Sequence, residues 1–436
     1  MSRQSAYAAV WMLLSKGLTY LLLLVIANKY SVADYGKFSF IFSLLVLLSF
    51  FSALGMPYYL VPWIQSKKKT GPVVFILVAL SILFSALIIT SAWKTDWIVV
   101  LALLLPLWTL NGLGSSLLWA QSKYGIDRFF CVVDGAVTLA IAFAASAQGL
   151  MGLASAYVLG YIVQVAVSFL YLRKHLQDAF RDFRFHVPTL SRYLTPALVT
   201  SLVYLSLGVL NWLDTFVLGL FRASEEVAYY TVASQICSLL VLIPTALSFV
   251  VLTRKDEKTL FTASKLSFLI SLNLAIILIA VREPLLAVFF PKYPIGLFIG
   301  LLSTGMLFFS VYIMHISHAM SIMKPHMVLP KIITACTINI ALDFILAPTF
   351  GIYGVIVSTF IAQLVALLLI GHAQGYDKLI SVVFIVVISV GLALFLKLYA
   401  LLLPFFIIPL MVVMKLISPE DLRRIVRVAA QSIKYK

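Results

Sequence analysis

The chain has 436 residues, 63% of them hydrophobic and only 11% charged, and a formal net charge of +16. Soluble domains carry about 25% charged residues, so a soluble protein is excluded. A span needs about 20 mainly apolar residues to cross a hydrocarbon core of about 30 Å, whereas a membrane β-barrel alternates over about ten. The apolar blocks here have helical length, and the chain reads as an all-α polytopic membrane protein with about fourteen transmembrane helices.

In chain order, six spans are placed at 7–28, 37–62, 72–92, 97–119, 129–147 and 151–172. After a polar stretch come 197–220, 227–251, 262–281, 294–318, 327–348, 352–371, 379–397 and 399–416. The first, Tyr7 to Asn28, is too long for a signal-peptide core and is read as a retained span. Basic residues gather in alternate connections: Lys67 to Lys69, Arg173 to Arg192, Arg254 to Lys265, and a tail with Arg423, Arg424, Arg427, Lys434 and Lys436. Such a bias marks the cytoplasmic side. Both termini are therefore expected in the cytoplasm, in a multi-pass membrane protein. The same distribution argues against nucleic acid as a partner. Cys131, Cys237 and Cys336 lie within apolar segments without metal-ligand spacing, so they read as packing residues, and no metal or cofactor is expected.

The stretch 173–196 mixes Phe180, Phe183 and Phe185 with Arg181 and Arg184, as an interfacial linker would. The sequences on either side of it look alike. Ala33-Asp-Tyr-Gly-Lys-Phe-Ser39 in the first half matches Glu225-Glu-Val-Ala-Tyr-Tyr-Thr231 in the second. Gly149-Leu-Met-Gly152 matches Gly351-Ile-Tyr-Gly354, and the connections 122–128 and 323–326 fall at corresponding places. The expected organisation is an N-lobe over 1–172, a linker over 173–196, a C-lobe over 197–371, a last pair of spans over 372–416 and a basic tail over 417–436. An even number of spans per half inserts both in the same orientation, related by a pseudo-twofold axis along the membrane normal.

Three passages carry a family likeness: Asn28 through Ser39 with the run ending in Ala53-Leu-Gly55; Asn211-Trp-Leu-Asp-Thr-Phe-Val-Leu-Gly219 with Val227 to Ser234 and Ile243 to Ser248; and Asn339 through Gly354. In these the chain resembles the polysaccharide-transport branch of the multidrug/oligosaccharidyl-lipid/polysaccharide exporter superfamily. The resemblance implies a two-lobed helical bundle with a further pair of C-terminal spans. It implies a flippase that carries undecaprenyl-pyrophosphate-linked oligosaccharide repeat units to the periplasmic leaflet, for O-antigen, lipopolysaccharide, capsule or exopolysaccharide assembly. A polysaccharide polymerase and a chain-length regulator are partners at the level of the family. Sibling branches move lipid II or export cationic drugs.

Such a cargo needs cations for its phosphates inside an apolar slab, and charged side chains within spans default to functional candidates. Lys16, mid-way along the first span with Ser15 and Thr19 nearby, is the foremost candidate for the pyrophosphate. Its bland alternative is snorkelling, or pairing with a carboxylate. Lys331, near the inner end of its span, is a second candidate for receiving phosphate. Asp214 with Asn211, and Asp343 with Asn339, are candidates for gating or ion coupling, against a role in helix packing. Asp134 reads as solvated or paired, and His315 and His318 as interfacial.

An enzyme of the same lipid carriers, a membrane glycosyltransferase or polymerase, would bring large extramembrane loops, and no phosphate-binding loop pattern appears; no catalytic residue is expected. A cation-coupled drug antiporter or a lipid II flippase of the same superfamily remains an alternative. The mid-span lysine and the scarcity of mid-span carboxylates favour an anionic cargo.

Overall fold

A computed structural model describes residues 3–53, 60–61, 64, 71–180, 187–254, 257–322, 324–372 and 379–413. The Lys67 to Lys69 run, the centre of the linker at 181–186 and the basic tail lie outside the described residues. Among those described, every regular element is helical. In a bilayer core no water takes up backbone N–H and C=O groups, so each segment must close its own hydrogen bonds.

The helices are α1 (Arg3–Lys29), α2 (Val32–Ala53), α3 (Gly71–Ser91), α4 (Asp96–Ala102), α5 (Leu104–Ala120), α6 (Tyr124–Ala144), α7 (Gly149–Phe180) and α8 (Val187–Phe221). They continue as α9 (Ser224–Cys237), α10 (Leu242–Arg254), α11 (Glu257–Ala280), α12 (Arg282–Phe289), α13 (Gly296–Ser321), α14 (Leu329–Phe350), α15 (Ile352–His372), α16 (Leu379–Leu396) and α17 (Leu403–Val413). Twelve stretches among the described residues are long and apolar enough to cross a membrane. Helix α6 is long enough too, but Asp127, Arg128 and Asp134 make it more polar. The last apolar stretch, Ile385–Pro409, is broken where Lys397 takes a positive φ of 50°, and a 3₁₀ turn over Lys397–Leu402 leads into α17. The protein is an all-α, multi-pass membrane protein.

Two compact units divide the chain, Met1–Ala228 and Tyr229–Lys436. The first runs past the linker because α8 packs along α2. Glycines make this close approach possible. A Cβ at Gly208 would stand 2.2 Å from the Phe50 ring, and one at Gly219 would stand 2.2 Å from the Phe40 ring. At the mouth of the seam, a Cβ on Gly36 would stand 1.7 Å from the carbonyl oxygen of Ser224. Division by packing and division by sequence repeat thus fall at different places.

The two matched glycine motifs adopt the same local geometry. Gly149 (φ 57°, ψ −135°) opens α7 and Gly351 (φ 56°, ψ −132°) opens the turn into α15. That conformation is essentially open to glycine alone. Three residues on, a Cβ at Gly152 would meet the Ala145 carbonyl oxygen at 2.1 Å, and one at Gly354 the Leu346 carbonyl oxygen at 2.5 Å. In each unit two glycines let one helix turn tightly into the next.

Prolines leave orphan carbonyls four residues back, and serines of neighbouring helices take them. Pro106 strips the donor from the Ala102 carbonyl, which accepts from Ser85 Oγ at 2.9 Å. Pro244 does the same to the Leu240 carbonyl, which accepts from Ser271 Oγ at 2.8 Å. Ser264, on the same α11, is equally buried but its Oγ makes no hydrogen bond. Ser271→Ala is therefore expected to destabilise the protein by about 1–3 kcal/mol, while Ser264→Ala is neutral or stabilising. Thermal unfolding of the purified full-length variants reads the difference.

Candidate functional site

Lys16 stands at the centre of α1. Residues on its own helical face, Met12, Leu23 and Ala27, are buried, whereas Val10, Leu14 and Leu21 on the far side are about half exposed, as a lipid-facing stripe is. Lys16 nonetheless remains exposed. Lys16 therefore stands at the edge of the buried stripe, with Leu13 and Thr19, exposed like it, one turn away on either side. Among the described residues it makes no ion pair or hydrogen bond.

The cation in electrostatic range of its ammonium is Arg128, on α6, the main packing partner of α1. Arg128 is held in place. Its Nε lies 3.6 Å from Asp127 Oδ2, and its guanidinium lies over the Trp119 ring at 5.8 Å. Buried Asp127 in turn accepts from Ser115 Oγ at 2.6 Å and from Trp119 Nε1 at 2.9 Å. Two cations within electrostatic range across the α1–α6 contact repel. A bundle that holds them there is suited to a doubly charged anion.

Lys331, on α14, belongs to the second compact unit. It is half-buried and donates from Nζ to the Met327 carbonyl at 2.8 Å, capping the 3₁₀ turn over Pro325–Met327. Asn211 is exposed and donates back to the Leu207 carbonyl of its own helix at 2.6 Å, while Asp214 is buried at 1% exposure. Asn339 and Asp343 are fully buried on one stripe of α14. There Asn339 Nδ2 donates to Ser358 Oγ at 3.1 Å, and that hydroxyl donates to the Asn339 carbonyl at 3.0 Å, stitching α14 to α15. His315 and His318 are both buried in α13. Among the described residues no cluster has the makings of a metal site.

Asp134 sits on α6, half-buried and pressed against α7. Its Oδ1 accepts from Thr138 Oγ1 at 3.2 Å, and a Cβ on Gly160 would come within 2.6 Å of it. Close by lies a cluster of aromatic side chains from four helices. The ring of Phe42 is 5.2 Å from Tyr157, 5.7 Å from Trp108 and 5.7 Å from Trp212, and Trp108 meets Tyr161 edge-on at 6.0 Å.

Residues 2–252, more than half of the chain, match the family described as polysaccharide biosynthesis protein. The chain belongs to this family. It is thereby a member of the multidrug/oligosaccharidyl-lipid/polysaccharide exporter superfamily, whose solved structures share its fold. The lipid II flippase MurJ in an inward closed conformation aligns over 92% of this chain and 96% of its own, at 16% identity and a TM-score of 0.71. A multidrug resistance MATE transporter in an outward-facing conformation aligns over 87% of this chain and 96% of its own, at 17% identity and a TM-score of 0.61. A superfamily transporter from Pyrococcus furiosus aligns over 87% and 96%, at 16% identity and a TM-score of 0.56. No curated protein matches the chain.

Within this member of the polysaccharide biosynthesis family, Arg128 is the residue that sequence reading missed. In the sequence it falls in the polar connection 122–128 and reads as one more orienting charge; only the packing of α1 on α6 brings it into electrostatic range of Lys16. Its support can be tested. Asp127→Ala leaves the Ser115 and Trp119 donors unpaired and is expected to cost about 1–3 kcal/mol of stability, read as a lower unfolding midpoint. Asp127→Asn, which keeps an acceptor, is expected to lose less.

Proposed function

We propose that the protein is a flippase that carries undecaprenyl-pyrophosphate-linked oligosaccharide repeat units from the cytoplasmic to the periplasmic leaflet by alternating access. The observation that carries this reading is Lys16, exposed at the edge of the buried stripe of α1 with Arg128 as its charged neighbour. Such a pair supplies countercharge to a pyrophosphate, which without it would pay the full cost of leaving water. The polyprenyl tail stays in lipid throughout, so only the headgroup and sugars need a polar route. The family's description, polysaccharide biosynthesis, supports O-antigen, lipopolysaccharide or other surface polymer as the destination. Lys331 is proposed as a contact on entry, and Asp214 and Asp343, with Asn211 and Asn339, as elements of gating or ion coupling.

The proposal includes the setting: the bacterial inner membrane, both termini cytoplasmic, and two repeats over 1–172 and 197–371 joined by the 173–196 linker. Polymerase and chain-length regulator are proposed partners. Transport, not catalysis, is the activity.

The test is a deletion strain complemented in turn. Wild type is expected to restore surface polymer and clear the undecaprenyl-linked pool. Lys16→Gln and Arg128→Gln are expected to cut export by about tenfold or more, the scale of one lost charge contact worth about 1.4 kcal/mol. Lys331→Gln is expected to have a smaller effect, because its ammonium is already engaged by Met327. If the deletion leaves surface polymer intact and lowers tolerance to cationic drugs, the antiporter reading replaces this one.

A further inference from the structure

Helix α7 carries a polar stripe that the cation pair leaves unused. Tyr157, Tyr161, Gln164 and Ser168 recur at helical spacing and share one face. The exposed Leu159, Ile162 and Leu170 lie on the opposite, lipid-facing side. Gln164 is only 2% exposed; its Nε2 donates to Cys131 Sγ at 3.5 Å, and its Oε1 has no hydrogen-bond partner. An unmatched buried carbonyl is costly in an apolar bundle, and a ligand that donates to it would relieve that cost.

The surroundings are aromatic. The Phe42 ring meets those of Trp108, Tyr157 and Trp212 at 5.2–5.7 Å, and all four residues are half-buried rather than sealed in the core. Among the described residues the Tyr157 hydroxyl makes no hydrogen bond. Asp134 lies within electrostatic range of that hydroxyl, and no ion pair joins it to a cation among the described residues.

Flat apolar faces bordered by a carboxylate, an amide carbonyl and a phenol suit one kind of ligand. A pyranose ring has a face of C–H bonds that lies against an aromatic ring, and an edge of hydroxyls that donate to carboxylate and amide oxygens. An ionised phosphate offers only acceptor oxygens and has no donor for Gln164 Oε1. A quaternary cation would use the rings and Asp134 but has no donor for Gln164 Oε1. We propose that Trp108, Tyr157 and Trp212, with Asp134 and Gln164, bind a sugar ring of the transported glycan, in a subsite distinct from the Lys16 and Arg128 cations. The subsite rests on the reading of the protein as a flippase for lipid-linked glycans. Phosphates and sugars are then recognised by different chemistry within one compact unit.

The test uses the full-length protein in lipid nanodiscs and calorimetry with three probes. These are the water-soluble oligosaccharide released by mild acid from the producing cell's lipid-linked pool, undecaprenyl pyrophosphate without sugar, and tetraphenylphosphonium. Wild type is expected to bind the first two. Trp108→Leu and Tyr157→Leu are expected to weaken the oligosaccharide by about tenfold and leave undecaprenyl pyrophosphate unchanged; Lys16→Gln is expected to do the reverse. Tyr157→Phe keeps the ring and the fold, and is expected to weaken the oligosaccharide by about threefold. If wild type ignores the oligosaccharide, or all ring variants bind it as wild type does, while undecaprenyl pyrophosphate still binds, the subsite is overturned and the flippase stands. If wild type binds tetraphenylphosphonium and neither of the others, both readings fall.

Discussion

A bilayer offers no hydrogen-bond partner to a polar group, and that constraint shapes each part of this molecule. Ordinary helical bonding meets most of it, and the exceptions are mended one by one. Where Pro106 and Pro244 leave carbonyls without an amide donor, Ser85 and Ser271 reach across from neighbouring helices. Where Asp127 is buried, Ser115 and Trp119 close around it. Where Asn339 faces another helix, Ser358 answers it in both directions. These polar contacts act as joints between helices, since apolar attraction between helices gains little in a medium already apolar.

Set against that economy, the groups left unanswered stand out. Lys16 makes no ion pair or hydrogen bond among the described residues, and Gln164 keeps an unpaired carbonyl oxygen in the interior. The unpaired carbonyl raises the free energy of the empty protein, although the other end of the Gln164 amide joins α7 to α6 through Cys131. Both groups lie in one compact unit with Arg128, Asp134 and the rings around Phe42. A cargo that joins a pyrophosphate to a glycan would answer both groups at once.

Close helix approach has its own local cause. Gly36, Gly208 and Gly219 allow backbone and rings to come nearer than any side chain would permit. That seam is why α8, the first span after the linker, packs with the helices before it. Glycine at these positions lets a ring sit directly against bare backbone.

The all-α polytopic class was legible in the sequence, because bilayer thickness translates directly into the length of an apolar block. The paired glycine motifs were legible too, because positive φ demands glycine at Gly149 and Gly351 wherever the fold uses that turn. The break in the last apolar stretch at Lys397 agrees with a lysine being a poor residue for mid-span. What sequence left open was which charges meet. Arg128 looked like an orienting loop residue, and Trp108, Tyr157 and Trp212 looked like ordinary span aromatics. Their convergence depends on the rotation and crossing of separate helices, which periodicity along a single helix does not encode. The same holds for Asn211 and Asp214, close in sequence yet one exposed and the other buried, since a 60° difference in direction on a helix (100° per residue) is enough to separate surface from interior once the neighbours are in place.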